Sequence, residues 1–429
     1  MVDLSVEISG ITFKNPLIVA AGPNTKNYFS ALNCIRAGFG AIVIRSLHLR
    51  HLNDSQVSIR EFWNVYGGKN LQTDLYSLQS TGAPALRINS KLDPGFGGAA
   101  PMPRLEQYQE EVFKITKAAK EYGCVTIGSL GWCGTGLSDE DVWKTEAMTM
   151  TEAGVEMLQL HTAPSPATET GRYMNSNPRT YLEGPIKIAK SASKLPVYAK
   201  LPVDCCDTIS VAGVAQKAGA DGVVPVTRWV SLPLDIENEK LPVWRGPGIG
   251  GPWSVPIMRG LIYRMRHHAV IPISYIHERG KKPQLPQAVP VTIPIIPSGG
   301  VRCGEDVIGY IMAGGNAAEI CAQVILEGVG VLKRIEGEMR SWMERKGYSR
   351  VSEFHDTIKL LEPSQVKDIP QWVPSVDQRK CTGCGNCIDA CTNGALFMHG
   401  NVAELDIERC EGCTSCGYIC PSGAISLQA

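Results

Sequence analysis

Neither sign of charge is in excess: Lys and Arg number 42, Asp and Glu number 42, and the formal net charge is zero. A basic field that would draw in nucleic acid or an anionic membrane is therefore absent, and both are excluded as partners on bulk electrostatics. Long apolar runs are missing too, since no stretch reaches the roughly 18 residues of a membrane-spanning helix. The opening residues, Met1-Val2-Asp3-Leu4-Ser5-Val6-Glu7, have neither the basic start nor the apolar segment of an export signal. A soluble, cytoplasmic protein is expected, with a docked protein partner left open. Cysteine is sparse ahead of the tail. Seven of the 15 (Cys34, Cys124, Cys133, Cys205, Cys206, Cys303, Cys321) are scattered there, which suits reduced thiols better than bridges.

What is present is concentrated near the C-terminal end. Eight cysteines fall in two runs, Cys381-x2-Cys384-x2-Cys387-x3-Cys391 and Cys410-x2-Cys413-x2-Cys416-x3-Cys420-Pro421. Three thiolates spaced by two residues wrap one 4Fe-4S cubane, whereas the fourth, three residues on, is carried by the next turn to the neighbouring cluster. Cys381, Cys384, Cys387 and Cys420 are therefore expected at one centre, and Cys410, Cys413, Cys416 and Cys391 at the other. Gly383, Gly385, Gly412 and Gly417 lie among them, where backbone must pass close to inorganic sulfide. Zinc knuckles and disulfides are the alternatives. Zinc suits paired C-x2-C arms but leaves the doubled x2-x2-x3 run without a reason. Thr392 stands where the second run has Pro421.

With 44% hydrophobic residues in 429, the chain can bury one large core and still carry a small appendix, as a barrel of roughly 250 residues plus insertions and a cluster domain would. From residue 10 to about 340, short β-branched runs alternate with helical patterns, the grammar of a parallel sheet with crossover helices. Eight strands are predicted: Leu17 to Ala21, Ala41 to Arg45, Val125 to Leu130, Met157 to His161, Val197 to Leu201, Gly222 to Val226, Ile293 to Ser298 and Ala318 to Gln323. Predicted helices include Arg104 to Tyr122, Asp139 to Ala153, Tyr181 to Lys194 and Ile209 to Ala218, with a last one from Ala322 to Lys346 ending at Gly347. Eight such units make a (β/α)8 TIM barrel, an α/β fold, whose strand C-terminal ends carry the chemistry. Three insertions, Leu47 to Pro103, Thr162 to Arg179 and Thr227 to Pro290, are long enough to be lids or docking surfaces. Ser352 to Val373 reads as a short helical connector followed by prolines. The expected division is a barrel over 1–350, a linker over 351–374 and a small ferredoxin-like α+β domain with two 4Fe-4S clusters over 375–429.

Two glycine-rich turns near the barrel's end point to phosphate. Pro297-Ser298-Gly299-Gly300-Val301 ends strand seven, and Gly314-Gly315 with Ala322-Gln323 surrounds strand eight. Backbone N–H groups of such turns make an anion cradle, which in barrels lies after strands seven and eight. Ala20-Ala21-Gly22-Pro23 after strand one offers a small-residue surface for a flat ring, and Lys200 at the tip of strand five can set an ammonium beside N1 of a reduced flavin.

On these residues the chain resembles the dihydroorotate and dihydropyrimidine dehydrogenase family of FMN barrels over nearly its whole length, and within it the members that add a C-terminal two-cluster ferredoxin domain. The resemblance is carried by Gly10-Ile11-Thr12-Phe13-Lys14-Asn15-Pro16, Ala20-Ala21-Gly22, Ala199-Lys200-Leu201, Gly219-Ala220-Asp221-Gly222, Ser298-Gly299-Gly300-Val301 and the eight cysteines. It implies FMN at the barrel top, with contacts at Ala21, Gly22, Arg45, Ser46, Lys200, Thr227, Gly251, Gly299, Gly300, Ala322 and Gln323. It further implies electrons passed through the clusters to an FAD- and NAD(P)H-binding or other redox subunit, and a homodimer of barrels within a hetero-oligomer.

The chain departs from the family where substrate is read. His161-Thr162-Ala163-Pro164-Ser165-Pro166 replaces Asn-x-Ser-Cys-Pro after strand four, Arg45-Ser46 replaces a lysine after strand two, and Arg228-Trp229 follows Thr227 where the family has Asn-Thr. The mobile loop that offers a cysteine acid in dihydropyrimidine dehydrogenase reads Gly171-Arg172-Tyr173-Met174-Asn175-Ser176-Asn177-Pro178. Candidate acids are thus Ser176, Tyr173 and His161. Arg228 and Trp229 would hold an anionic or aromatic substrate. Three functions follow: a flavin-dependent oxidoreductase of a C=C or CH–CH bond in a cyclic or conjugated molecule, a pyrimidine-processing enzyme proper, or an electron-transfer subunit whose barrel only relays electrons.

Overall fold

The computed structural model describes residues 2–47, 60–64, 86–90, 105–131, 140–161, 178–202, 207–226, 229–230, 236–237, 239, 248–267, 290–359 and 373–428. In chain order the strands are β1 (Val6–Ile8), β2 (Ile11–Phe13), β3 (Leu17–Val19), β4 (Ala41–Leu47), β5 (Arg60–Asn64), β6 (Leu86–Ser90), β7 (Val125–Leu130), β8 (Met157–His161), β9 (Val197–Lys200), β10 (Gly222–Val224), β11 (Trp229–Val230), β12 (Gly248–Gly250), β13 (Ala318–Ile320), β14 (Val373–Val376), β15 (Leu396–His399), β16 (Val402–Leu405) and β17 (Ile425–Gln428). The chain divides into two compact units, Met1–Ile358 and Lys359–Ala429.

In the first unit, seven strands form one parallel sheet in the order β10-β9-β8-β7-β4-β3-β13. The eighth predicted strand, Ile293 to Ser298, is reduced to two single parallel bridges, Val223 with Ile295 on one edge and Ser298 with Glu319 on the other. Pro294 and Pro297 explain the reduction: each lacks the N–H that a continuous ladder would use. Their carbonyls still accept, from Val223 N at 2.9 Å and Glu319 N at 2.8 Å, so the segment joins both edges and the sheet closes on itself.

Strand parity sorts the apolar residues into two cores. Leu17, Val19, Ile42, Ile44, Leu158, Leu160, Val197 and Ala199 face outwards into the layer under the helices. Ile18, Ala41, Val43, Val125, Ile127, Met157, Tyr198, Val224 and Ile296 fill the barrel interior, as alternation along each strand requires. The hairpin β1–β2 contributes Ile8 and Phe13 to that inner core. Tyr198 crosses it, with its hydroxyl 2.8 Å from Ser9 Oγ in the hairpin turn. Among the described residues the inner core is thus stoppered at the hairpin.

The helices Leu105–Glu121, Glu140–Glu152, Pro178–Ala192 and Thr208–Lys217 agree with expectation within three residues at each end. Two assignments are corrected. Strand eight ends at Ile320, with Ala322–Glu327 already helical, and the predicted helix from Ala322 to Lys346 is two helices, Ala322–Glu327 and Val331–Lys346. Gly328 at φ 76° breaks it, a left-handed backbone that no helix interior admits. In the predicted connector, Val351–Phe354 is a 3-10 turn whose Phe354 ring packs edge-on to Trp342 and tilted against Tyr348 of the barrel unit. The contact boundary therefore lies at Ile358/Lys359. Among the described residues no helix is long and apolar enough to cross a membrane.

Candidate active site

At the strand C-terminal ends, inward parity brings three polar groups together across the barrel. Glu319 of β13 is fully buried, its Oε2 accepting from Lys200 Nζ of β9 and its Oε1 from Gln159 Nε2 of β8, each at 2.5 Å. Lys200 is 6% and Gln159 1% exposed. Charges this deep persist only as a hydrogen-bonded pair, and removing one partner of such a pair typically costs about 3–5 kcal/mol. β8 and β9 are in register so that His161 lies beside Lys200, which places the candidate acid and the candidate flavin lysine on one wall. Gln159 Oε1 is buried and has no hydrogen-bond partner among the described residues. A buried acceptor of this kind fits a donor on a bound group.

The second part of the site is the turn after the closing segment. Gly299 and Gly300 take φ 93° and 78°, and a Cβ on Gly300 would come within 2.6 Å of Ser254 Oγ and 3.1 Å of Gly251 O. Ser254 is itself tied back to Gly251 O at 2.8 Å, just ahead of the helix Val255–His267. Gly251 and the Gly299-Gly300 turn, far apart in sequence, are thus packed against each other. Gly299 N–H is used in closing the barrel, donating to Glu319 O at 3.2 Å, so an anion cradle here rests on the groups that follow it.

Ala21 and Gly22 lie beside the end of β13. Ala20 N donates to Ile320 O at 2.9 Å, and a Cβ on Gly22 would stand 3.0 Å from Cys321 Sγ. Ala322 opens the short helix, while the Gln323 amide turns along it to Glu327. Arg45 and Ser46 fall at a register irregularity between β4 and β7, of the kind that re-aims side chains at barrel rims. Arg45 O accepts from the buried Tyr108 hydroxyl at 2.5 Å, and burial pushes the Tyr108 pKa up. Trp229, expected at the substrate, is half-buried with its ring edge-on to Trp253 at 5.4 Å, one residue from Ser254. Ser176, Tyr173, Thr227 and Arg228 lie outside the described residues, as does the Ser46 side chain. Gln159 and Glu319 were missed by motif reasoning. Their signal was available: each is a polar residue on the inward parity of an otherwise apolar strand.

In the second unit, β14 pairs with β17 and β15 with β16, both antiparallel. One cavity is lined by Cys381, Cys384, Cys387 and Cys420, and another by Cys391, Cys410, Cys413 and Cys416. The fourth cysteine of each run has crossed to the other run's cavity. Backbone N–H groups aim at the sulfurs: Ala395 N is 3.1 Å from Cys391 Sγ and Ala424 N is 3.3 Å from Cys420 Sγ, each four residues on, and Ala403 N is 3.5 Å from Cys381 Sγ. Burial opposes ionisation at Cys391 and Cys420, but backbone N–H groups led by Leu396 at the first, and the Ser422 hydroxyl followed by backbone N–H groups at the second, prevail and hold both thiols below their ordinary value. At Cys387 and Cys416 burial wins and raises them. Among the described residues no three His, Cys, Asp or Glu side chains converge closely enough to hold a single metal ion. Each cysteine quartet surrounds a volume instead of meeting at a point. Gly383, Gly385 and Gly412 have φ between 68° and 78°, whereas Gly417 is helical with Leu427 packed where its Cβ would be.

Residues 283–343 match the dihydroorotate dehydrogenase family and residues 380–424 match the 4Fe-4S dicluster domain. The chain is similar to the catalytic subunit of dihydroorotate dehydrogenase B (NAD(+)) of Methanocaldococcus jannaschii, 26% identical over 347 residues that span 80% of this chain and 94% of that protein. It is also similar to subunit PreA of the NAD-dependent dihydropyrimidine dehydrogenase of Escherichia coli K12, 22% identical over 405 residues, 91% of this chain and 86% of that one. Among solved structures, DHODH of Eimeria tenella with ferulenol and in a ligand-free form share the fold, with TM-scores of 0.60 and 0.61 at 20% and 19% identity over 83% of this chain and 88% and 92% of theirs.

Proposed function

We propose that this chain, which belongs to the dihydroorotate dehydrogenase family and carries a 4Fe-4S dicluster domain, is an FMN-dependent oxidoreductase. It acts on the C=C or CH–CH bond of a cyclic or conjugated small molecule. Electrons are exchanged through two 4Fe-4S clusters with an NAD(P)H- and FAD-binding partner subunit. The observation that carries the reading is the polar group towards the strand C-terminal ends, Gln159, Lys200 and Glu319 hydrogen-bonded together, with His161 beside Lys200 and the Gly299 N–H on Glu319 O. FMN bound there would supply hydride exchange at its N5 position. Lys200 sets a cation at the strand tip, Gln159 Oε1 accepts from a ring donor, and Gly251, Gly299 and Gly300 allow close backbone approach. His161, beside Lys200, is the described group best placed to move a proton, with Ser176 and Tyr173 as the alternatives on the following loop. Trp229 and Arg228 are proposed to hold the substrate, the first by stacking and the second by charge.

Cys381, Cys384, Cys387 and Cys420 would hold one cluster, and Cys391, Cys410, Cys413 and Cys416 the other. The two cysteine-lined cavities, whose quartets do not converge on a single point, and the N–H groups directed at sulfur fit a cubane better than a tetrahedral zinc ion. A second reading, dihydropyrimidine dehydrogenase proper, is favoured by likeness to PreA across 91% of the chain. The test is purification without oxygen followed by assay of flavin and iron. About one FMN and eight irons per chain are expected, from the two four-iron sets, with the flavin bleached by a reduced cyclic substrate. Bleaching by dihydrouracil selects the second reading. Iron without flavin would remove the enzyme and leave only an electron carrier.

A further inference from the structure

The flavin reading makes Lys200 a cation that would lie beside the ring, yet its ammonium does not act alone. It lies 2.5 Å from Glu319, a carboxylate with no solvent exposure, and Glu319 is held from its other side by Gln159. Water cannot screen charges at this depth, so whatever binds over the pair meets the sum of both. A carboxylate is also a costly choice for this position, because an anionic side chain opposes an anionic reduced ring. A neutral amide could accept the same two hydrogen bonds through its oxygen. We propose that Glu319 is a positioning residue that sets the charge Lys200 presents to the flavin, so that the ring rests on a neutral pair instead of a bare cation and its reduction potential is held down. The inference rests on the flavin reading above.

A purely structural part for Glu319, as a staple across β8, β9 and β13, would alter stability and leave the potential where it was. The experiment therefore reads potential. Full-length wild type, Glu319→Gln, Lys200→Gln and the double variant are purified without oxygen, FMN content is assayed, and the flavin midpoint potential is determined by anaerobic titration against a reference dye. Glu319→Gln is expected to favour the reduced flavin by about tenfold, equivalent to about 30 mV for a two-electron couple. Lys200→Gln should move it as far the other way, and the double variant should return to within about threefold of wild type. Bound FMN whose potential does not move in Glu319→Gln overturns the inference and leaves the flavin reading standing. Wild type without FMN removes both. Should Glu319→Gln fail to fold, the double variant, which leaves no buried charge unpaired, decides. A potential near wild type there, about tenfold above that of Lys200→Gln, upholds the neutral pair, and equal potentials in Lys200→Gln and the double variant overturn it.

Discussion

Single residues in the barrel interior are set by what faces them across it. Gly222 is the sharpest case: a Cβ there would fall 2.0 Å from Cε1 of Tyr198, which is itself locked between the inner core and Ser9. Gly222→Ala is expected to destabilise the barrel by about 3 kcal/mol, the upper range for overpacking a core that cannot relax, read from denaturant midpoints. His355 offers a pH test. Burial first, and the Arg266 guanidinium second, hold it below the ordinary value of 6.5, against an opposing pull from Asp356. A group depressed in the folded state stabilises above its unfolded value and loses that contribution as pH falls through its folded one. Barrel stability should therefore fall on acidification below about pH 6.5, and His355→Gln should flatten that slope in thermal melts across pH 5 to 7. An unchanged slope would assign the acid sensitivity elsewhere.

Elements were legible where their periodicity was long and their punctuation clear. The helix Thr208–Lys217 shows the pattern: the Asp207 carboxylate accepts from Ile209 N and Ser210 N, each at 3.2 Å, and Gly219 follows its end at φ 93°. Legibility failed where a run of good helix formers concealed Gly328, and where prolines thinned the closing strand to two bridges. In the cluster unit the two cysteine runs are near repeats, and Thr414 takes φ 67° where Gly385 takes 78°. A β-branched residue in that region is strained by about 1–2 kcal/mol, part of which glycine would lose again as chain entropy. Thr414→Gly should therefore stabilise the unit by about 0.5–1 kcal/mol, measured anaerobically as a raised midpoint for loss of cluster absorbance. A lowered midpoint would show that the threonine side chain contributes more than its backbone costs.

At the scale of the whole molecule, two units with separate cores imply two unfolding events. Among its described residues the second unit's apolar core is small, with Cys387, Leu396, Ala403, Cys416 and Ile425 buried together, too little to hold a fold without bound clusters. Chelation of iron should abolish the transition of Lys359–Ala429 and leave that of Met1–Ile358 in place in calorimetry. Cys391→Ser should cost the centre shared with Cys410, Cys413 and Cys416 and spare the other, seen as loss of one of two reduced cluster signals in EPR. Loss of the other centre would overturn the crossed assignment.

The sequence by itself determined the division into parts: cysteine spacing announced a 4Fe-4S domain and the crossing of its fourth cysteines, and the alternation of β-branched and helical runs announced the barrel, because both are local periodicities that survive without neighbours. Only the tertiary structure decided which polar residues share the barrel mouth. Glu319 and Lys200 are 119 residues apart and Glu319 and Gln159 are 160 apart, and nothing local marks them as a set. Closure of the sheet makes inward parity on three strands converge on one buried point, and a charge there is tolerable only in company.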